Sequence, residues 1–587
     1  MLRRRGWPLL AFLAVASAPL AGCSEGSFFA PQGLTGQRDA HKVQPPKLPE
    51  LKTVGTYTSF MGVEPTPVYA VGVVVGLNGA GSNPPPGEMR LQALRLLKTR
   101  GVAKPDEYLA SGDAAVVAVS ALVPPGVRKD EPLDVDVELA PEDKTSDLRG
   151  GELLPCDLYE YGDANALTGR EGSRMMRHKR LARASGSVTT GPEVNPDSSG
   201  RLRKGRVWNG GKSLDERHFA LIINRENQEA ALAMAVAEAV NQRFHGEFRG
   251  SMRGMAEAMN KNTVVLRVQP GYRHNWLRYL RVVRQLPLRT DPLLLQQLQK
   301  QYAQELLDPA QTIVAALRLE ALGVDAVPML KQALGSAHPL VRFAAAESLA
   351  FLGDPACGEV LAETIRRDPA LRALALTALA SLDEAVSYVK LRELTQEPDA
   401  ETRFGAFRAL HTLNPNDRLV QGALVNKSFH LHRLAPEATA LIHVSTVTRP
   451  EIVLFGEEPL LLPPFSLVAG PDFTVTARAG DAHCVVSRIS VRHGQAQERC
   501  SLHVADVVST LGQLGAHYGD VLDLMRQASH IECLSCPVAF DALPQVPTIA
   551  ELAERSTLDG GPALTDLGGT PNLFSKLRAA VAPGSAK

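Results

Sequence analysis

The sequence predicts an α+β protein, a β-rich core encoded in two segments and interrupted by a short α-solenoid. Three observations carry this. Short apolar runs such as PLDVDVEL at 132–139 occur before residue 290 and again after residue 425. Strict alternation of that kind puts every second side chain on one face, as in a half-buried strand. Between the two β-rich parts, Leu322, Leu352, Leu382 and Leu413 recur at intervals of 30, 30 and 31 residues. A fixed period of that size is the mark of stacked helical units.

The chain opens with Arg3, Arg4 and Arg5 before an apolar run, WPLLAFLAVASAPL at 7–20, and this is the pattern of a secretory signal. The run ends in Leu20-Ala21-Gly22-Cys23, which resembles the lipobox of bacterial lipoproteins. That resemblance implies a signal peptide over 1–22 and diacylglycerol on the Cys23 thiol. The alternative is an ordinary secretory signal cut nearby. Ser24, where an aspartate would signal inner-membrane retention, points to an outer-membrane anchor. Residues 23–60 read as a flexible tether, being polar, proline-bearing and without periodicity up to residue 50. No later segment has the ~18 uninterrupted apolar residues of a membrane span, so the lipid is the expected membrane contact. With 63 basic and 63 acidic residues there is no global field to favour nucleic acid.

The first β-rich part, 61–290, contains the strand-like runs YAVGVVVGL at 69–77 and AAVVAVSALV at 114–123. A helical pattern covers 89–101 between them. Residues 160–215, rich in Gly, Ser and Arg, are expected to form a basic loop carrying Arg174, Arg177, Lys179, Arg180 and Arg183. Such a loop is solvated by default. In a cell envelope it is also suited to salt-sensitive contact with anionic polymers such as peptidoglycan. A helix over 227–246, opened by Asn227 and closed by Gly246, and a β run over 262–271 complete this part.

The repeat array spans 291–425. Arg342, Arg372 and Arg403 keep the same spacing as the leucines, each before an alanine-rich amphipathic stretch. Asp308-Pro309 and Asp368-Pro369 sit at helix starts, where proline's missing N–H costs nothing. Each unit is a helix pair that buries its apolar face only by stacking on a neighbour. About four HEAT-type units are expected, with an unidentified protein partner. The second β-rich part, 426–545, holds strand-like runs at 451–456, 472–480 and 484–491 and a helix pair over 505–529. A weakly ordered tail is expected over 546–587.

The candidate chemistry is sparse. The glycines of GVVVGLNGAG at 72–81 lack both the dinucleotide spacing and the Gly-Lys-Ser/Thr ending of a phosphate loop. Cys484, Cys500, Cys533 and Cys536 crowd into the C-terminal part and are compatible with disulfides, free thiols, a metal site or a redox pair. Only one C-x-x-C exists, so a zinc ribbon is incomplete and no metal or other cofactor is expected. No nucleophile triad or carboxylate pair stands out, which predicts a non-enzymatic protein.

Several stretches together resemble the bacterial flagellar basal-body P-ring protein family. YAVGVVVGLNGAG at 69–81 is similar to its Gly-rich strand motif, through Gly76, Leu77, Asn78, Gly79 and Gly81. AAVVAVSALVPPGVRKDEPLDVDVEL at 114–139 and SDLRGGELL at 146–154, with Gly150 and Gly151, follow in the family's order. RPEIVLFG and ADVVSTLGQLGAHYGDVLDLMRQASHIECLSCPVAF resemble its closing elements. The resemblance implies a non-catalytic periplasmic subunit that assembles with copies of itself into a ring around the flagellar rod, beside the L-ring proteins. The lipobox, the repeat insertion and the arginine-rich segment depart from the family pattern. The alternative is a non-flagellar envelope scaffold lipoprotein that works through its repeats.

Overall fold

The computed structural model describes residues 51–140, 142–161, 177–190, 203–248, 251–288, 291–435, 437–446, 449–490, 494–544 and 573–574. The signal segment, Cys23, Arg174 and all of the expected tail except Leu573 and Phe574 lie outside the described residues.

Six antiparallel strands close into a barrel in the order Thr66–Val75, Ala114–Val123, Pro132–Leu139, Lys204–Ser213, Arg177–Ser187 and Glu152–Tyr161, the last pairing back to the first. Val68, Ala70, Val74, Val117, Val119, Val135 and Val137 fill the interior, so the barrel is a packed core. The first two strands are buried on their outer faces as well. There Val71, Val73 and Val116 pack on Ala93, Leu97 and Leu109 of the helices Glu88–Thr99 and Pro105–Ala110. Two covered faces explain why these strands read as continuous apolar runs. Pro132–Leu139 is covered on its inner face only and alternates. Its outward Asp136 and Glu138 pair across the barrel wall with Arg206 at 2.6 Å and Lys204 at 3.0 Å.

Two of these strands correct the sequence reading. Residues 177–187 and 204–213, expected within a basic loop, are barrel wall. Their buried positions are Ala182, Ala184, Gly205, Val207, Gly211 and Ser213. Small inward residues carry little hydrophobic alternation, so the period-2 signal is lost. Gly205 is required by packing, since a Cβ there would stand 2.4 Å from Val188 Cγ1.

Beside the barrel, Thr58–Met61, Phe219–Ile223, Thr263–Leu266 and Ala256–Ala258 form an antiparallel sheet. The helices Ala230–Arg243 and Trp276–Gln285 share one core with it, including Val54, Phe219, Val236, Tyr279 and Val283. The tether expected to reach residue 60 therefore stops earlier, because Val54 is fully buried and Thr58–Met61 is paired. A four-residue strand is too short to leave a readable period.

The array consists of four helix pairs: Pro292–Leu307 with Thr312–Leu322, Val327–Ala333 with Pro339–Phe351, Gly358–Arg367 with Pro369–Ser381, and Ala385–Leu394 with Ala400–Leu413. The second helices stack into an inner layer covered on both sides. In Pro369–Ser381 every residue from Leu371 to Ala380 is buried. The first helices form an outer layer with one wet face: Gly358–Arg367 buries Leu361, Ala362 and Ile365 and exposes Glu359 and Arg366. The Asp308 and Asp368 carboxylates each accept a backbone N–H two residues on, at 3.0 Å, closing these turns. The periodic arginines bind carbonyls just upstream. Arg342 donates to Ser336 and Ala337, Arg372 to Ile365, and Arg403 to Glu397.

The C-terminal part holds a five-stranded mixed sheet, ordered Ala423–Val425, Phe429–Leu434, Glu451–Phe455, Leu441–Val444 and Val538–Phe540. A four-stranded antiparallel sheet runs from Phe465–Ala469 through Phe473–Ala477 and His483–Ser490 to Gly494–Ser501. The helices Val504–Gln513 and Tyr518–His530 join both sheets in one core. No helix among the described residues is long and apolar enough to cross a membrane.

The array is fixed at both ends. Arg278, buried in Trp276–Gln285, binds Glu320 at 2.6 Å, Glu347 at 2.5 Å and Ser348 Oγ at 2.8 Å, while Tyr272 donates to Glu320 at 2.7 Å. Burial alone would lower the Arg278 pKa, but Glu320 and Glu347 hold it above the ordinary value. At the other end Arg403 donates to the Thr439 carbonyl at 2.6 Å and to its hydroxyl at 2.8 Å.

Candidate functional site

The glycine-rich segment after strand Thr66–Val75 turns back over the barrel mouth. Gly76, Asn78 and Gly79 have φ of +77°, +49° and +87°, the left-handed region that glycine and asparagine enter most readily. The turn is pinned by Asn78 N–H to Asp113 Oδ1 at 2.8 Å and by Gly81 N–H to the Gly112 carbonyl at 2.9 Å. Leu77 points inward and is buried. A Cβ on Gly81 would lie 2.4 Å from the Ala114 carbonyl oxygen. These contacts are structural, with no cradle for a phosphate.

A second turn, Asp147 to Gly151, packs against the first. A Cβ on Gly151 would meet Val74 Cγ1 at 2.4 Å and Leu77 Cδ2 at 2.8 Å. Gly150 has φ +72° and faces the His517 ring, 3.1 Å from where its Cβ would be. Between them Arg149 reaches across to the C-terminal part and meets Asp520 at 3.4 Å. The two family-like glycine turns are thus brought together and set against helix Tyr518–His530.

An open cleft of ≈ 720 Å³ lies at this junction, lined in part by Asp147, Arg149, Gly470, Asp523, Arg526 and His530. Burial pushes Asp520 up to about 6, against the opposing pull of the His517 N–H and Arg149. Burial likewise raises Asp147 and Asp523 and lowers His517. Mixed carboxylates and guanidinium groups on an open wall suit docking of a charged protein surface. Sequence reasoning found the two glycine turns but missed Asp520 and the cleft, because Arg149 and Asp520 lie 371 residues apart.

Of the predicted basic residues, Lys179, Arg180 and Arg183 project from a barrel strand and are about half exposed or more. Lys179 pairs with Asp215 at 2.7 Å, and Arg180 and Arg183 share Asp157 at 3.0 and 2.8 Å. Exposed pairs of this kind are worth about 0–1 kcal/mol and exchange partners readily. Arg177 begins the same strand, its backbone opposite Tyr161.

The cysteines separate into two sets. Cys484 and Cys500 are register partners on adjacent strands, their sulfurs 3.3 Å apart. The neighbouring thiol and burial raise the Cys484 pKa. Cys533 donates to the Ala528 carbonyl at 3.7 Å, and burial pushes Cys536 up to about 11.

Another polar cavity, of ≈ 200 Å³, opens where the last repeat helix meets the mixed sheet, lined by His411, His430, His432, Arg449 and Glu451 among others. Burial lowers His411 to about 3 and His432 to about 4, so both are neutral at pH 7. These side chains come from three separate segments and left no sequence motif. Among the described residues no group of three or more His, Cys, Asp or Glu is arranged to hold a metal ion.

Comparison with known proteins agrees with this division of the chain. The family model described as Flagellar P-ring protein matches residues 54–293, which cover the barrel and its companion sheet. The model for HEAT repeats matches residues 292–370. A Flagellar P-ring protein of Bradyrhizobium sp. is 28% identical over 235 residues, 39% of this chain and 58% of the relative. One from Caulobacter vibrioides is 29% identical over 220 residues, 36% of this chain and 54% of the relative. One from Fervidobacterium nodosum is 36% identical over 104 residues, 18% of this chain and 30% of the relative. The chain thus spans a little over half the length of the first two of these relatives. It is similar to flagellar P-ring proteins over residues 54–293 and to HEAT repeats over the segment that follows without a gap.

Proposed function

We propose that this protein is a structural, non-catalytic subunit of a periplasmic flagellar P ring, built from copies of itself around the rod and beside the L-ring proteins. The observation that carries the reading is the family match over 54–293, which coincides with the closed barrel and its companion sheet. In this reading the glycine-turn junction and its mixed-charge cleft form part of the surface between neighbouring copies. A closed ring needs two different surfaces per subunit that fit head to tail. The lipid on Cys23 tethers the ring to the outer membrane, and Lys179, Arg180 and Arg183 contact peptidoglycan.

Deleting the gene and imaging purified basal bodies tests the central claim. The expected outcome is loss of swimming and of the ring at the cell-wall level; intact rings and motility would refute it. Cys23→Ser should release the protein from membranes. Pelleting with isolated cell-wall sacculi should fall as salt rises and fall again in a triple glutamine variant of the three cations.

The second reading, a non-flagellar envelope scaffold, is favoured by one observation: the outer layer of the repeat array keeps a wet, charged face. Normal basal bodies in the deletion strain would select it.

A further inference from the structure

HEAT-type arrays offer partners their inner helix layer, and here most of that layer is covered by the protein's own body. Helix Thr312–Leu322 packs on Trp276–Gln285 through the Arg278 cluster, and Ala400–Leu413 packs on the mixed sheet. One stretch, around Thr377 and Gly405, is covered differently. Leu573 N–H donates to Thr377 Oγ1 at 3.4 Å, and Phe574 is only 7% exposed. The Thr377 hydroxyl is fully buried and donates in turn to the Ala373 carbonyl at 2.7 Å. Gly405 sits inside Ala400–Leu413, where glycine is a poorer helix former than alanine. A Cβ there would lie 2.5 Å from Leu376 Cδ1, 2.9 Å from Pro544 Cγ and 3.7 Å from Phe574 Cζ. The missing side chain leaves a dimple that these groups fill.

We infer that the inner layer around Thr377 and Gly405 is a peptide-binding site whose resident ligand is this chain's own C-terminal segment, anchored by Phe574. Pro544 and Phe574 converge on the same glycine, yet 29 residues lie between them. That length reaches about 100 Å when extended, far more than closing the contact requires. A segment so joined is a tethered ligand. Its sequence, Leu573-Phe574-Ser575-Lys576-Leu577-Arg578, offers an aromatic anchor, further apolar residues and two cations. Joining a ligand to its site through a linker long enough to span the distance gives effective concentrations on the order of a millimolar. The tail therefore occupies the groove most of the time and still yields to a competitor with the same aromatic anchor.

The test uses a fluorescein-labelled peptide of residues 569–582 and fluorescence polarisation against three proteins: the full chain, the chain ending at Pro544, and full-length Phe574→Ala. The peptide should bind the shortened chain and the Phe574→Ala chain alike, and the intact chain at least tenfold more weakly. The same peptide carrying Phe574→Ala should lose at least tenfold, since a buried phenylalanine contributes that much or more. Equal binding to the intact and Phe574→Ala chains would overturn the proposal, as would no binding to any of the three. Dimers that form through Phe574 would overturn the assignment to the same chain, because the occupant would then be a second copy. The full-length Phe574→Ala protein keeps the test decisive if the shortened chain fails to fold.

Discussion

Replacing Arg278 by methionine keeps an apolar stem in the core and deletes the charge that holds the first two repeats to the body. Glu320 is fully buried and Glu347 nearly so, and both direct oxygens at this guanidinium at 2.5–2.6 Å. Removing one partner of a buried ion pair costs about 3–5 kcal/mol, because the remaining charge is stranded. That is a large share of the ~5–15 kcal/mol by which a domain is stable. Urea unfolding followed through Trp276, which begins the same helix, should therefore show a clear drop in midpoint. The penalty should shrink on acidification. Burial already raises the Glu347 carboxyl above its usual value with Arg278 present. Without the cation it rises further, so the folded state gains stability as pH falls through that raised value and loses it as pH rises. The triple variant Arg278→Met, Glu320→Gln, Glu347→Gln should recover more than half of the loss. A loss below about 1 kcal/mol in the single variant, or no recovery in the triple, would refute the argument that this cluster clamps the array.

Three further outcomes follow from the site. Gly151→Ala forces a methyl against Val74 and Leu77, and overpacking of this kind should cost about 1–3 kcal/mol in chemical denaturation. Asp520, raised by burial from 3.8 to about 6, favours folding fully below its unfolded pKa and loses that contribution as pH rises through 6. At most about 3 kcal/mol is at stake. Thermal melts from pH 4 to 8 should fall with rising pH in the native chain and flatten in Asp520→Asn; parallel curves would count against it. Mild oxidation should join Cys484 to Cys500, seen by peptide mapping as one linked pair. Closing that 16-residue separation should add roughly 3 kcal/mol over the reduced form.

Much of the fold was legible where one physical signal dominated. Pro132–Leu139 alternates because one face is wet, and the leucine period marked the helix pairs because every unit repeats the same packing problem. The strands Arg177–Ser187 and Lys204–Ser213 were hidden, since alanine and glycine line their inner face. Barrel closure was hidden for another reason. It depends on register shifts, as between Leu153 and Cys156, that no local pattern announces. The glycine turns could be singled out as motifs, but their meeting with His517 and Asp520 is a tertiary event. Phe574 belongs to a short amphipathic stretch of the C-terminal segment, and only the bare surface of Gly405 gives it a place.

The Arg149–Asp520 contact also has a consequence for the order in which the chain can fold. Its two partners are separated by 371 residues, with the whole array between them. A chain synthesised N-terminus first completes the barrel strands early, yet the cleft beside the glycine turns stays half-built until the last helix pair has been made. The repeats, whose contacts are local, are suited to fold first and fast, while the junction pays the loop-closure entropy and comes last. Until then the barrel's glycine turns face solvent without their C-terminal cover. Protease added during refolding should therefore cut near Gly150 early and lose access there only when Tyr518–His530 gains protection from hydrogen exchange.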